Sequence, residues 1–131
     1  MKLHLTTAEN HNLITAYGMG FVEINKQKYA QNLIVMADEL ILDWRATDFA
    51  SICAEHLAKI AELKPEVVLL GTGETHQFLH PKLYQTLTTQ GIPLECMTTA
   101  AACRTYNILM SEGRNVAAAL LIQVLKNKHQ N

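Results

Sequence analysis

Apolar and polar positions alternate with a period of two through much of the first 45 residues, and from Thr47 onward the period lengthens to that of a helix. Leu3 and Leu5 open one expected strand, and Leu13 to Tyr17 form a second before Gly18 and Gly20 interrupt it. Phe21–Ile24 and Gln27–Tyr29 flank Asn25-Lys26, a pair suited to a tight hairpin turn because Asn tolerates positive φ. Leu33–Met36 and Glu39–Leu42, separated by Ala37-Asp38, are two further strands. This half reads as a β-meander.

The second half reads as alternating helices and buried strands. Phe49, Ile52, Cys53, Leu57 and Ile60 lie on one stripe of a helix that Thr47 or Asp48 can cap, and Lys64-Pro65 stops it. Val67–Leu70 is a continuous apolar run, as expected of a strand covered on both faces. A second helix begins near Pro81, buries Leu83, Tyr84 and Leu87, and ends at Gly91. Ile92–Met97 is the next strand. A third helix, capped by Thr98 or Thr99, runs to about Glu112 and closes at Gly113, and Val116–Ile122 is the last strand. The order is a meander followed by β-α-β-α-β, an α/β class in which helices cover the apolar faces of a sheet and parallel crossovers are right-handed. Residues 1–123 are expected to form one α/β domain, with 124–131 as a polar C-terminal tail.

Composition narrows the function. With 49% hydrophobic and 18% charged residues the chain is globular, and a net charge of −1 without a basic run gives a nucleic-acid backbone little to bind. No stretch approaches the roughly 20 apolar residues needed to cross a bilayer, and the N-terminus resembles neither a signal peptide nor an organelle presequence. The expected setting is the cytoplasm of a bacterium. Cys53, Cys96 and Cys103 cannot all pair within one chain and are read as buried, reduced thiols.

The best candidate for a site is the crevice beyond two strand ends. In open α/β sheets ligands settle outside the carboxyl ends of parallel strands. Gly71-Thr72-Gly73 follows one strand and lets backbone approach a ligand closely; Thr98-Thr99 follows the next, at a helix start that favours an anion. Arg104, about one and a half turns along, adds a charge, and Asn107 shares its helical face. These residues either form a small-ligand or anion site or serve as turn, caps and helix-to-loop ties. Glu112 and Arg114 are candidates for a structural pair across Gly113. The segment is neither a dinucleotide fingerprint nor a phosphate loop.

Other chemistry is thin. His76 and His80 are four apart, but Pro81 places His80 at a helix flank and no further ligands complete a metal site, so both are expected as exposed loop residues. His56 is expected at the edge of the core, and Trp44 beneath the first helix. A Cys96–Cys103 redox pair is the alternative to two buried thiols. The serines are Ser51 and Ser111, neither in a nucleophile-elbow context. No catalytic residue, metal or cofactor is therefore assigned.

GTG at Gly71–Gly73, MTTAAACRTYNIL at Met97–Leu109 and SEGRNVAAAL at Ser111–Leu120 together resemble a small α/β family of unknown function, named after an archaeal Mth-type protein. The likeness extends over nearly the whole chain. The family includes a mitochondrial assembly factor for respiratory complex I and an animal adipogenesis-associated member. The resemblance implies a three-layer sandwich around a central mixed, largely parallel sheet, with one strand opposed to the others. It also implies no established enzymatic activity, and action through a protein partner in assembly of a membrane complex. The expected function is thus a non-catalytic cytoplasmic binding domain. The alternative is a small-molecule or anion-binding module, or an enzyme not yet discovered, using the crevice at Gly71, Gly73, Thr98, Thr99 and Arg104.

Overall fold

The structure, a computed structural model, describes residues 11–122. The expected strand at Leu3–Leu5 and the expected polar tail, 124–131, lie outside them. In chain order the elements are β1 (Ile14–Gly18), β2 (Phe21–Ile24), β3 (Gln27–Tyr29), β4 (Leu33–Met36), β5 (Glu39–Ile41), α1 (Ala54–Ala61), β6 (Val67–Gly71), α2 (Gln85–Thr89), β7 (Leu94–Met97), α3 (Thr99–Ser111) and β8 (Val116–Leu120). Single 3-10 turns at Phe49–Ser51 and Pro81–Tyr84 precede α1 and α2.

Two sheets result. β1-β2-β3 is an antiparallel three-stranded sheet, and the Asn25-Lys26 turn joining β2 to β3 has both residues at positive φ, 51° and 72°. The five-stranded sheet has the order β5-β4-β8-β6-β7. In it β4 opposes both its neighbours, while β8, β6 and β7 are mutually parallel. The expected mixed sheet with one reversed strand is therefore present. The meander is divided between two sheets: β4 and β5 edge the central one, whereas β1–β3 fold over it.

Period-two alternation gives the central sheet two buried faces. Ile34, Met36, Val68, Leu70, Ala117 and Ala119 face α1 and α2, where Leu57, Ile60 and Leu87 meet them. Leu33, Val35, Leu69, Ala118 and Leu120 face α3 and the three-stranded sheet, against Cys103, Tyr106, Met110, Val22 and Ile24. Each fully buried Leu or Ile contributes about 1.5–3 kcal/mol relative to exposure. The layers are helices, sheet, and a helix beside a small sheet.

The helix expected from Thr47 is broken. Asp48 and Ser51 form a reciprocal capping box around one 3-10 turn; Ile52 (ψ 131°) and Cys53 (ψ 174°) are then extended, and α1 starts at Ala54. Ile52 and Leu57 are five apart, a spacing that fits one helical stripe only if Cys53 also faces inward, and Cys53 is exposed. Trp44 is buried as expected, its Nε1 donating to the carbonyl of His56 at 3.1 Å. The Glu112–Arg114 pair does not form. Arg114 Nε instead meets Glu66 Oε1 at 2.7 Å, and this hydrogen bond holds the Glu66 carboxyl below its ordinary range.

Asn107 and Tyr106 bind the small sheet to α3. Asn107 accepts from the Ile14 N–H (3.0 Å) and donates to the Ile14 carbonyl (2.8 Å), while Tyr106 Oη donates to the Asn12 carbonyl at 2.7 Å. Asn107→Ala leaves a part-buried donor and acceptor unpaired and is expected to lower unfolding free energy by about 2 kcal/mol in urea denaturation. Arg104→Ala, at an exposed residue whose Nη1 donates to Tyr17 Oη, is expected to change it by less than about 0.5 kcal/mol.

Candidate functional site

Because β6 and β7 are parallel, their exits open on one rim, and β8 reaches the same rim between β6 and β4. There the tip of the β1–β2 hairpin (Tyr17–Gly20) and the Thr47–Ala50 segment stand opposite Thr72, Gly73, Thr98 and Thr99. They enclose an open cleft of about 940 Å³, with Leu121 and Ile122 among its lining residues. Most of its lining is apolar or small; Asp48 and Glu74 are the charged residues in it. Met19, at the hairpin tip, is 71% exposed.

Thr99 holds the rim together. Its hydroxyl donates to the Leu121 carbonyl (3.0 Å) and accepts from the Gly73 N–H (2.8 Å), and its own N–H donates to the Gly73 carbonyl (2.9 Å). The close approach requires Gly71, since a Cβ there would lie 2.9 Å from Thr99 Cα. Thr72 is buried; its hydroxyl donates to the Thr75 carbonyl (2.7 Å) and accepts from the Gln77 N–H (3.2 Å), shaping the loop. Thr98 is the residue that caps α3, accepting from the Ala101 N–H at 3.2 Å.

Opposite this rim, Asn32 performs the matching task. Its Nδ2 donates to the carbonyls of Ala46 (2.9 Å) and Thr47 (3.0 Å), and its Oδ1 accepts from the Ile122 N–H (2.6 Å). The Thr47–Ala50 wall is thereby fastened to the end of β8.

Of the expected site residues, Thr72, Gly73, Thr98 and Thr99 line the cleft, and Gly71 lies buried behind them. Arg104 is not in the lining and, among the described residues, reaches the rim through Tyr17, while Asn107 is spent on β1. The backbone N–H groups of Thr72, Gly73 and Thr99, expected to face a ligand, all donate within the rim. The hairpin tip, Asp48–Ala50 and Leu121-Ile122 were not signalled as site residues. The one hint is Met19, a large apolar residue set between two glycines.

The other candidates are scattered. His76 and His80 are exposed; the His76 ring lies 4.4 Å from Phe78, and His80 Nδ1 accepts from the Lys82 N–H at 3.1 Å. Among the described residues no group of three or more His, Cys, Asp or Glu is placed to hold a metal ion. His56 sits half-buried against Trp44, its Nδ1 accepting from the Cys53 N–H at 3.1 Å. Cys96 and Cys103 pack on opposite faces of the sheet and cannot pair. Cys53, expected buried, caps α1 in solvent, where its sulfur is 3.6 Å from His56 Nδ1.

Burial pushes the Cys103 thiol up to about 12, and raises Tyr106 further. In the unfolded chain the same thiol ionises near its ordinary value of 9.0. Above that pH the unfolded state binds fewer protons than the native one, so stability falls as pH rises from 9 toward 12. Urea titrations between pH 8 and 11 are expected to show the decline, and Cys103→Ala to make it shallower, the remainder coming from the other raised groups, Tyr106 and Cys96. At pH 8 a thiol reagent is expected to label Cys53 rapidly and Cys103 only on unfolding. Thr99→Val, which keeps the shape but loses both hydroxyl bonds, is expected to cost about 1–3 kcal/mol in thermal or urea unfolding.

Fold and cleft define a small mixed α/β domain with an apolar opening at the parallel strand ends. The profile of the family described as "Protein of unknown function (DUF498/DUF598)" matches residues 14–121, and the chain belongs to that family. It is 33% identical over 122 residues to the NADH dehydrogenase [ubiquinone] 1 alpha subcomplex assembly factor 3 of Xenopus tropicalis, covering 92% of this chain and 66% of that protein. Of the mouse counterpart it spans 48%. Among solved structures, a Bordetella parapertussis protein superposes with TM-score 0.81 at 39% identity, over 86% of this chain and 97% of that one. A Bordetella pertussis protein described as a Mth938-like domain gives TM-score 0.77 at 32% identity, over 92% and 91%. Among the described residues no helix is long and apolar enough to cross a membrane.

Proposed function

We propose that the protein is a non-catalytic binding domain that holds an apolar segment of a protein partner in the cleft, in the manner of an assembly factor. The observation that carries this reading is the cleft itself: about 940 Å³ of open, mainly apolar space with an exposed methionine at its lip. A contiguous apolar opening of this kind is the usual mark of a binding surface. Thr72, Gly73, Thr98 and Thr99 then serve as wall and frame, with Gly71, Arg104 and Asn107 behind them. The assembly-factor relatives support the same reading. A cytoplasmic site of action belongs to the proposal and is checked by cell fractionation.

The volume also lies in the range of about 300–1,000 Å³ typical of small-molecule sites, which supports an apolar small ligand as the second reading. An inorganic anion has less to recommend it, because the charges in the lining are the carboxylates of Asp48 and Glu74 and the N–H groups of Thr72, Gly73 and Thr99 are already bonded.

A photo-crosslinking residue at position 19 is expected to capture one partner in its native cell, whereas the same residue at position 108, exposed on α3, captures none in common. Met19→Glu is expected to abolish co-purification of that partner while shifting stability by less than about 0.5 kcal/mol. Partner binding unchanged by Met19→Glu sinks the cleft reading. Release of an apolar small molecule on denaturation, with no partner captured, favours the second.

A further inference from the structure

Strand edges with unpaired backbone invite another strand, and this fold blunts most of its own. Asn107 occupies the N–H and carbonyl of Ile14 on β1. On and beside β5, the side-chain amides of Asn12 and Gln31 donate to the carbonyls of Glu39 and Leu42. β3 is three residues long and carries exposed Lys28. β7 is different. It ends the five-stranded sheet, and the pairing with β6 uses the carbonyls of Pro93 and Met97, through bonds from Val68 and Thr72. With alternate residues facing alternate sides, the N–H and carbonyl of Leu94 and Cys96 point outward. Among the described residues no hydrogen bond from outside the sheet reaches them.

The surroundings match a docked strand. A shallow groove of about 380 Å³ runs beside the edge, lined by Phe78, Leu79, Tyr84, Leu94, Glu95 and Cys96. Phe78 is 77% exposed, the most exposed of the large hydrophobic residues among those described. Leu94 and Cys96 pack on the α1/α2 face of the sheet, so Glu95, exposed, points to the other. A guest strand would place alternate side chains over Phe78 and Tyr84, and the one between them beside Glu95.

The geometry points to an extended segment of a protein partner, with a basic residue flanked by two apolar ones, adding to β7 as a sixth strand. A second copy of this chain fits worse. An antiparallel self-pair that engages both Leu94 and Cys96 sets Glu95 directly opposite its own counterpart, and like charges so placed are destabilising. A lysine or arginine there is favourable instead. Backbone bonds hold such a segment, and Phe78 and Glu95 select it. This surface is separate from the cleft, whose lining does not include β7 or Phe78.

The test uses the isotopically labelled full chain and an acetylated, amidated Thr-Val-Lys-Val-Thr peptide at millimolar concentration. In the protein alone the amides of Leu94 and Cys96 exchange quickly with solvent. Peptide is expected to shift both and slow their exchange, with Glu95 and Met97 protected throughout. Phe78→Ala, at an exposed site, weakens the response several-fold. Glu95→Lys weakens it too and instead binds the Thr-Val-Glu-Val-Thr peptide, whereas Met19→Glu changes nothing. Leu94 and Cys96 amides unmoved by peptide overturn the proposal. So does protection of those amides that grows with protein concentration alone, which assigns the edge to a second copy.

Discussion

The hydroxyl of Thr99 is the contact on which the upper rim of this molecule depends. It joins the exits of β6 and β8 to the first turn of α3, accepting from Gly73 and donating to Leu121. The arrangement works only because position 71 has no Cβ, which allows α3 to settle against the strand end at backbone distance. Parallel strands leave their carboxyl ends side by side, with loop polar groups that need partners. Here one threonine and one glycine meet much of that need. The consequence for the rim is direct: the N–H groups of Thr72, Gly73 and Thr99 are spent within it.

Thr99 and Asn32 together convert strand ends into a cleft. Asn32 fastens the Thr47–Ala50 wall to Ile122, and Thr99 fastens the facing wall to Leu121. Both anchor on the two residues that follow β8, so the walls share one foundation at the centre of the sheet. The hairpin tip completes the opening, and its position is set by Asn107 and Tyr106 on α3. Polar groups therefore do the positioning while apolar groups form the surface that remains.

Edges are managed with the same economy. Side-chain amides cover backbone at β1 and β5, where an incoming strand would otherwise pair. Such covering uses residues distant in sequence, as with Asn107 and Ile14, ninety-three positions apart. The contrast with the edge of β7, uncovered among the described residues, is visible only when all the edges are compared. The cysteines follow similar logic: Cys103 is a small buried hydrophobe, and Cys53 is exposed because the backbone straightens before α1.

Much of the fold was legible in the order of residues. Period-two and apolar runs located β1 through β8 among the described residues, and Thr98, Asp48 and Gly113 marked helix ends where the structure has them. These features are local, decided by side-chain spacing, capping and φ preference within a few residues. Thr72, Gly73, Thr98 and Thr99 were legible as cleft-lining because they follow strands. Arg104 and Asn107 were singled out for ligand chemistry, yet their partners, Tyr17 and Ile14, come from a strand about ninety residues earlier. The break at Ile52-Cys53 also escaped periodicity, since a one-residue slip in a stripe resembles helical drift. Sequence alone determined the elements, their caps and the strand exits, because those depend on neighbours along the chain. Only the tertiary structure decided that three exits share one rim, that Tyr17–Gly20 closes it, and which strand edge stays bare among the described residues, because those depend on contacts between segments far apart in the chain.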